Sequence, residues 1–238
     1  LRGVWQLKNK RVDGIYIFSP FLRLFHWLMA AAVLMLFLTG RYIANPFFFG
    51  SLGVDPAISV GNLMSMETIR FWHFFWAYVL IASFILRIYG WIRYKGDRLL
   101  PKFWTKLYWT GLGQVLQHYL FLKSDHPPFL RNSLARTTYL IWYIVTFILM
   151  ATGLAMYGMI HPTSWTAKIF SPVISLLGNE YNVHVVHNYA AWFFPLFLTF
   201  HTYFAYRSDM MHGDGEISSI FSGIKYLPGK PADAEDIK

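Results

Sequence analysis

The chain has 238 residues, of which 55% are apolar, 20% aromatic and only 14% charged. A water-facing domain carries about 25% charge, so an ordinary soluble domain is excluded; the absence of cysteine excludes disulfides, thiolate-bound zinc, Fe–S clusters held by this chain and c-type haem attachment. Lys and Arg number 21 against 12 acids, a net charge of +9, which on so apolar a chain fits the one-sided charge of an integral membrane protein rather than nucleic-acid binding.

In chain order, a polar leader precedes a first predicted span at about 24–40, charge-free between Arg23 and Arg41. The leader is charged and lacks a small-residue cleavage site, unlike a signal peptide. A second span covers about 71–92, with Arg87 near its end. The connection that follows has Trp104, Leu107, Tyr108, Leu112, Val115, Leu116 and Tyr119 at three- and four-residue spacing. That pattern predicts an amphipathic helix over 103–122, lying in the interface. A third span covers about 139–160, and a fourth, containing Pro195, about 183–206. Neighbouring helices can satisfy the carbonyl that a membrane proline frees. The tail, 207–238, is polar and is expected to be loosely ordered.

Charge orients these spans. Five Lys and Arg precede the first span, nine lie from Arg87 to Arg136 and four follow Tyr206, against three elsewhere: Arg41, Arg70 and Lys168. The positive-inside rule puts both termini and the 93–136 connection in the cytoplasm. The expected fold is therefore an all-α membrane protein, residues 1–238 forming one domain. Its four transmembrane helices form a bundle, with the interfacial helix between the second and third.

Nine histidines are present, and ionisable groups inside spans point to function. His187 and His201 are 14 residues apart on the fourth span. At about 100° and 1.5 Å per residue they share a face within about 40°, about 21 Å apart along the axis. Two stacked haems need that separation. Alternating helix direction brings His73 to the level of His187 on the outer side, and His26 to the level of His201 on the cytoplasmic side. These four are the candidate axial ligands for two haems of b type. His184 fits the shared face less well and is placed near the outer haem edge or at a partner interface. His118, His126, His161 and His212 fall outside the spans and are expected at the surface.

A faint repeat accompanies the ligands: Arg23 precedes His26, and Arg70 precedes His73, each by three residues. A guanidinium there suits a haem propionate, the alternative for Arg23 being an interfacial charge. Gly40 and Gly153, each in a Thr-Gly pair, would let a porphyrin approach the backbone or let helices pack closely.

The segments Ser19-Pro-Phe-Leu-Arg-Leu-Phe-His-Trp27, Ile69-Arg-Phe-Trp-His-Phe74, Arg87-Ile-Tyr-Gly-Trp91, His184-Val-Val-His187, the late His201, Tyr206-Arg-Ser-Asp-Met-Met211 and Ile217-Ser-Ser carry a resemblance. Together they resemble the cytochrome b subunit of membrane-bound nickel–iron hydrogenases over nearly the whole chain. The resemblance implies an iron-binding respiratory-chain subunit in the bacterial inner membrane. Its expected partners are a nickel–iron large subunit and an Fe–S small subunit on the periplasmic side. Electrons would pass through haem b to membrane menaquinone or ubiquinone.

Where that family usually has His-Asn-Pro before the third span, this chain has Arg131-Asn132-Ser133. Asn132 and Arg131 are the quinone-site candidates; helix capping is the alternative for Asn132. The same-class alternative is the cytochrome subunit of a formate dehydrogenase or thiosulfate reductase. An alternative of another class is a haem-free membrane transporter or scaffold.

Overall fold

The computed structural model describes residues 13–44, 65–94, 98–123, 129–227 and 231–233. Its elements are β1 (Asp13–Tyr16), α1 (Pro20–Ala44), α2 (Met66–Arg93), α3 (Lys106–Tyr119), α4 (Ser133–Ile160), α5 (Trp165–Leu177), α6 (Glu180–His212), α7 (Glu216–Ser222) and β2 (Ile224–Leu227).

The long helices start earlier than the apolar runs predict because polar residues outside those runs begin them. Ser19 caps α1, its hydroxyl oxygen accepting from Leu22 N–H, with Pro20 pre-set at the first helical position. Ser65 caps α2 through Thr68 N–H, and Asn132 caps α4 through Ala135 N–H at 2.7 Å. Ser164 and Asn179 do the same for α5 and α6. Three helices among the described residues, α1, α2 and α4, are long and apolar enough to cross a membrane. The fourth predicted span lies within α6, whose first half carries Asn182, His184, His187 and Asn188. Leu34, Ile85, Phe147 and Leu196 are more than half exposed, at 52%, 61%, 62% and 58%. Such outward-facing side chains suit hydrocarbon.

Two compact units divide the chain. One comprises Leu24–Gly90 and Trp142–Thr199. Here Met29 and Ala32 of α1 pack on Leu80 of α2, with Phe25, Trp76, Trp142 and Met150 around them. The short helix α5 falls in the predicted 161–182 loop, a helix that the sequence reading did not anticipate. Its Ala167 backbone comes so close to Gly158 of α4 that a Cβ there would sit 2.7 Å away. Gly178, at φ 94°, ends α5.

The other unit comprises the described residues of Leu1–Arg23, Trp91–Ile141 and Phe200–Lys238. The expected amphipathic helix is α3, begun by Thr105, whose hydroxyl accepts from Tyr108 N–H. Its buried stripe is Tyr108, Gly111, Val115 and His118, while Trp104 before it and Leu107, Trp109 and Leu116 along it face outward. The predicted apolar face is thus split. One side packs on α4, where Tyr108 Oη and Thr137 Oγ1 lie 2.7 Å apart, and the other remains available to lipid. His118 is correspondingly buried, at 2% exposure, rather than at the surface. Its ring lies 5.6 Å from that of His212. His161 is exposed as expected, and His126 falls outside the described residues.

Besides its helices the chain has one small sheet, in which β1 pairs antiparallel with β2, Asp13 opposite Leu227 and Tyr16 opposite Ile224. The tail, expected to be loosely ordered, instead forms α7 and β2. Ile17 and Leu130 pack on Leu227, and Ile17 N–H donates to the carbonyl of Gly223 at 2.8 Å. Asp233 accepts from the backbone N–H groups of Leu130 and Arg131 and lies 3.9 Å from Arg136.

The buried Lys225 ammonium is 3.1 Å from Asp214 and also bonds Glu216. Burial alone would lower its pKa, but the two carboxylates outweigh that and raise it above the ordinary lysine value of 10.5. The salt-bridge contribution is therefore fully present below that value and is lost only as pH climbs through the raised folded-state pKa. We expect protease resistance of the β1–β2 unit to show no Lys225-dependent change from pH 6 to 9. Lys225→Ala, which strands buried carboxylates, should destabilise this unit by about 3 kcal/mol, measured by limited proteolysis in urea.

Candidate functional site

The geometry that matters lies in the unit formed by Leu24–Gly90 and Trp142–Thr199. His73 projects from α2 toward the Thr39-Gly40 pair of α1, and His187 from α6 toward the Thr152-Gly153 pair of α4. The two arrangements match closely. Thr39 Oγ1 is 2.9 Å from His73 Nδ1, and Thr152 Oγ1 is 2.9 Å from His187 Nδ1. Each threonine hydroxyl donates its proton back along its own helix, Thr39 to the Met35 carbonyl at 2.6 Å and Thr152 to that of Ile148 at 2.7 Å.

These bonds decide the histidine tautomer. A hydroxyl whose proton is committed can only accept, so Nδ1 of each ring carries the hydrogen. A neutral imidazole has one N–H, which leaves the lone pair on Nε2. His73 and His184 are both within electrostatic reach of His187. The predicted partners His73 and His187 are thus neighbours in one unit.

The glycines serve these rings directly. A Cβ on Gly40 would lie 3.2 Å from His73 Cε1, and one on Gly153 would lie 3.3 Å from His187 Cε1. Either is tight enough to displace the imidazole. Both glycines therefore leave room for the imidazole beside them.

The other candidates take varied positions. His184 is exposed, one turn from His187. His26 belongs to the same unit as His73, whereas His201 lies on the part of α6 assigned to the other unit, within electrostatic reach of Glu216. Arg70 is exposed on α2. Arg23 donates through one guanidinium nitrogen to the Phe221 carbonyl, while its buried Nε has no hydrogen-bond partner among the described residues. An anionic acceptor such as a propionate suits that atom.

Asn132 Oδ1 accepts the cap hydrogen bond, and its Nδ2 amide is a donor. Arg131 is buried; its guanidinium donates to the Ile17 carbonyl at 2.5 Å and lies over the Phe18 ring. Arg87, passed over in the sequence as a charge near a span end, is 3% exposed. Its Nε–H donates to Tyr143 Oη at 2.9 Å and its guanidinium lies over Phe25. An intramembrane cation was the available signal.

Half-buried helix-borne imidazoles, protonated on Nδ1 with the lone pair on Nε2, are donors suited to haem iron in a membrane electron carrier. The chain belongs to the prokaryotic cytochrome b561 family, whose model matches residues 17–223. Among its relatives is a probable Ni/Fe-hydrogenase B-type cytochrome subunit of Cupriavidus necator, 30% identical over 91% of this chain and 89% of the relative. The corresponding protein of Azotobacter vinelandii is 29% identical over 93% and 92%. A probable Ni/Fe-hydrogenase 1 B-type cytochrome subunit of Escherichia coli K12 is 27% identical over 92% and 94%. The resemblance expected from the sequence is thereby borne out, and family membership favours a haem-carrying chain over a haem-free transporter or scaffold.

Glycine-to-alanine changes separate helix stability from ligand placement. In a helix interior, Ala is favoured over Gly by about 0.5–1 kcal/mol, so Gly40→Ala and Gly153→Ala should leave the protein folded. Each should nevertheless lower haem content per chain, measured as the pyridine haemochrome, because the new methyl pushes the imidazole off its threonine.

Proposed function

We propose that this chain is the di-haem b membrane subunit of a respiratory uptake hydrogenase. It takes electrons from a periplasmic Fe–S subunit, itself paired with the nickel–iron large subunit, and delivers them to membrane quinone. α1, α2, α4 and α6 are its four spans in the bacterial inner membrane. Both termini and α3 lie on the cytoplasmic side, as the eighteen-to-three division of Lys and Arg favours. The observation that carries the reading is the matched Thr–His pairing on α1–α2 and α4–α6, together with the hydrogenase names of the relatives.

His73 and His187 would hold the outer haem, and His26 and His201 the cytoplasmic one. Haem b, when bound, supplies one-electron carriers that bridge hydrogen oxidation and two-electron quinone chemistry. The chain's own residues set the rest. Thr39 and Thr152 keep Nε2 of the outer pair available, and Gly40 and Gly153 give the rings room. Arg23 and Arg70 offer guanidinium donors to propionates, and exposed His184 lies at the outer edge or a partner contact. At the cytoplasmic level, the Nδ2 amide of Asn132 offers a hydrogen bond to a quinone carbonyl. Arg131, tied to Ile17, fixes the loop that carries Asn132. Protons for the quinone enter from the cytoplasm.

Two experiments in the purified complex test this. His73→Ala or His187→Ala should remove one haem while the second remains, and His26→Ala or His201→Ala should remove the other. Loss of haem on replacing His184, with His187 dispensable, would overturn the ligand assignment. Asn132→Ala should leave haem reduction by hydrogen intact while quinone reduction falls about tenfold, the weight of one strong hydrogen bond. Unchanged quinone turnover in a mildly destabilised protein would restrict Asn132 to its cap.

A further inference from the structure

We propose that Thr39 and Thr152 are positioning residues that set the donor strength of His73 and His187 toward haem iron. This rests on the assignment of those histidines as axial ligands. Thr39 and Thr152 are 6% and 2% exposed, so water does not compete for their hydroxyls. Each hydroxyl proton is anchored on the carbonyl four residues earlier, with a second carbonyl three residues earlier at 3.3 Å. The oxygen lone pairs are thereby aimed at Nδ1.

Back-bonding alone does not define the role. Thr110 and Thr137 also donate to carbonyls four residues earlier, yet the hydroxyl that Thr137 meets belongs to Tyr108 and not to a histidine. What sets Thr39 and Thr152 apart is the imidazole held at 2.9 Å and the glycine beside each threonine that makes room for it. The same device occurs on two separate helix pairs.

Its chemical effect has a direction. Accepting a hydrogen bond from Nδ1–H draws the proton outward and adds electron density at Nε2. A stronger donor stabilises ferric iron more than ferrous iron. The two threonines therefore hold the outer haem at a lower potential than bare imidazoles would, which favours passing the electron onward. They also fix the rotation of each ring about its own side chain.

The test uses the intact, haem-loaded complex with Thr39→Val, Thr152→Val and the corresponding serine variants. Spectroelectrochemical titration should show the outer haem of either Val variant with a reduced-to-oxidised ratio of about five at the potential where the wild type is half reduced, one neutral hydrogen bond's weight in the equilibrium. The second haem should be unmoved. The low-spin EPR g values of the outer haem should change as the ring rotates, and serine, which keeps the hydroxyl, should restore both readouts. Haem loss in the Val variants with retention in the Ser variants also supports the role.

Wild-type potential and g values in both Val variants overturn it, as does equal haem loss in Ser and Val variants, which would make the methyl the important group. His73→Ala and His187→Ala run in parallel. If they keep the outer haem, the ligand assignment itself fails. If they lose it while the Val variants behave as wild type, only the present inference falls.

Discussion

A neutral imidazole presents one N–H and one lone pair, and among apolar helices neither can rely on water. Leaving such a group unmatched costs on the order of 1–3 kcal/mol. In this protein Thr39 and Thr152 meet the N–H of His73 and His187, which puts the lone pair on Nε2. The rest of the unit follows from that requirement. The threonine must sit where its proton returns to its own helix, the next residue must be glycine, and the partner helix must present its histidine at the same height. Core packing of Met29, Ala32 and Leu80 holds α1 against α2 in the register that achieves this.

Much of this was legible in the sequence. Apolar length fixed the existence of α1, α2 and α4, and the spacing of His187 and His201 on one helix raised the haem reading before any relative was considered. Helix ends were less legible, because Ser19, Ser65 and Asn132 begin helices through cap hydrogen bonds that lie outside the hydropathy signal. The glycines were visible as a repeat, but the role of the adjoining threonines was not, since it depends on histidines 34 and 35 residues away. The helix α5 was hidden because a loop was expected where a thirteen-residue helix brings its Ala167 backbone against Gly158.

The terminal unit was the least legible part. Strands of four residues carry little periodicity, and β1 and β2 lie at opposite ends of the described chain. Lys225 reads as a solvated charge until Asp214 and Glu216 are brought around it. Likewise His118 looked like a surface residue because α3 was read as having one apolar side. It has two, one outward and one buried, and the buried one meets α4 at Tyr108 and the end of α6 at His118.

The pairing of β1 with β2 imposes an order on biogenesis. Asp13 leaves the ribosome early, but its partner Leu227 emerges only after every long helix has been made. Until then Ile17 and Leu130 lack Leu227, and Arg136 lacks Asp233. The sheet therefore closes last and only on a chain synthesised through to its final strand. A product stalled before β2 leaves Ile17 and Leu130 without Leu227 and Arg136 without its carboxylate, so synthesis through β2 is written into which contacts can form.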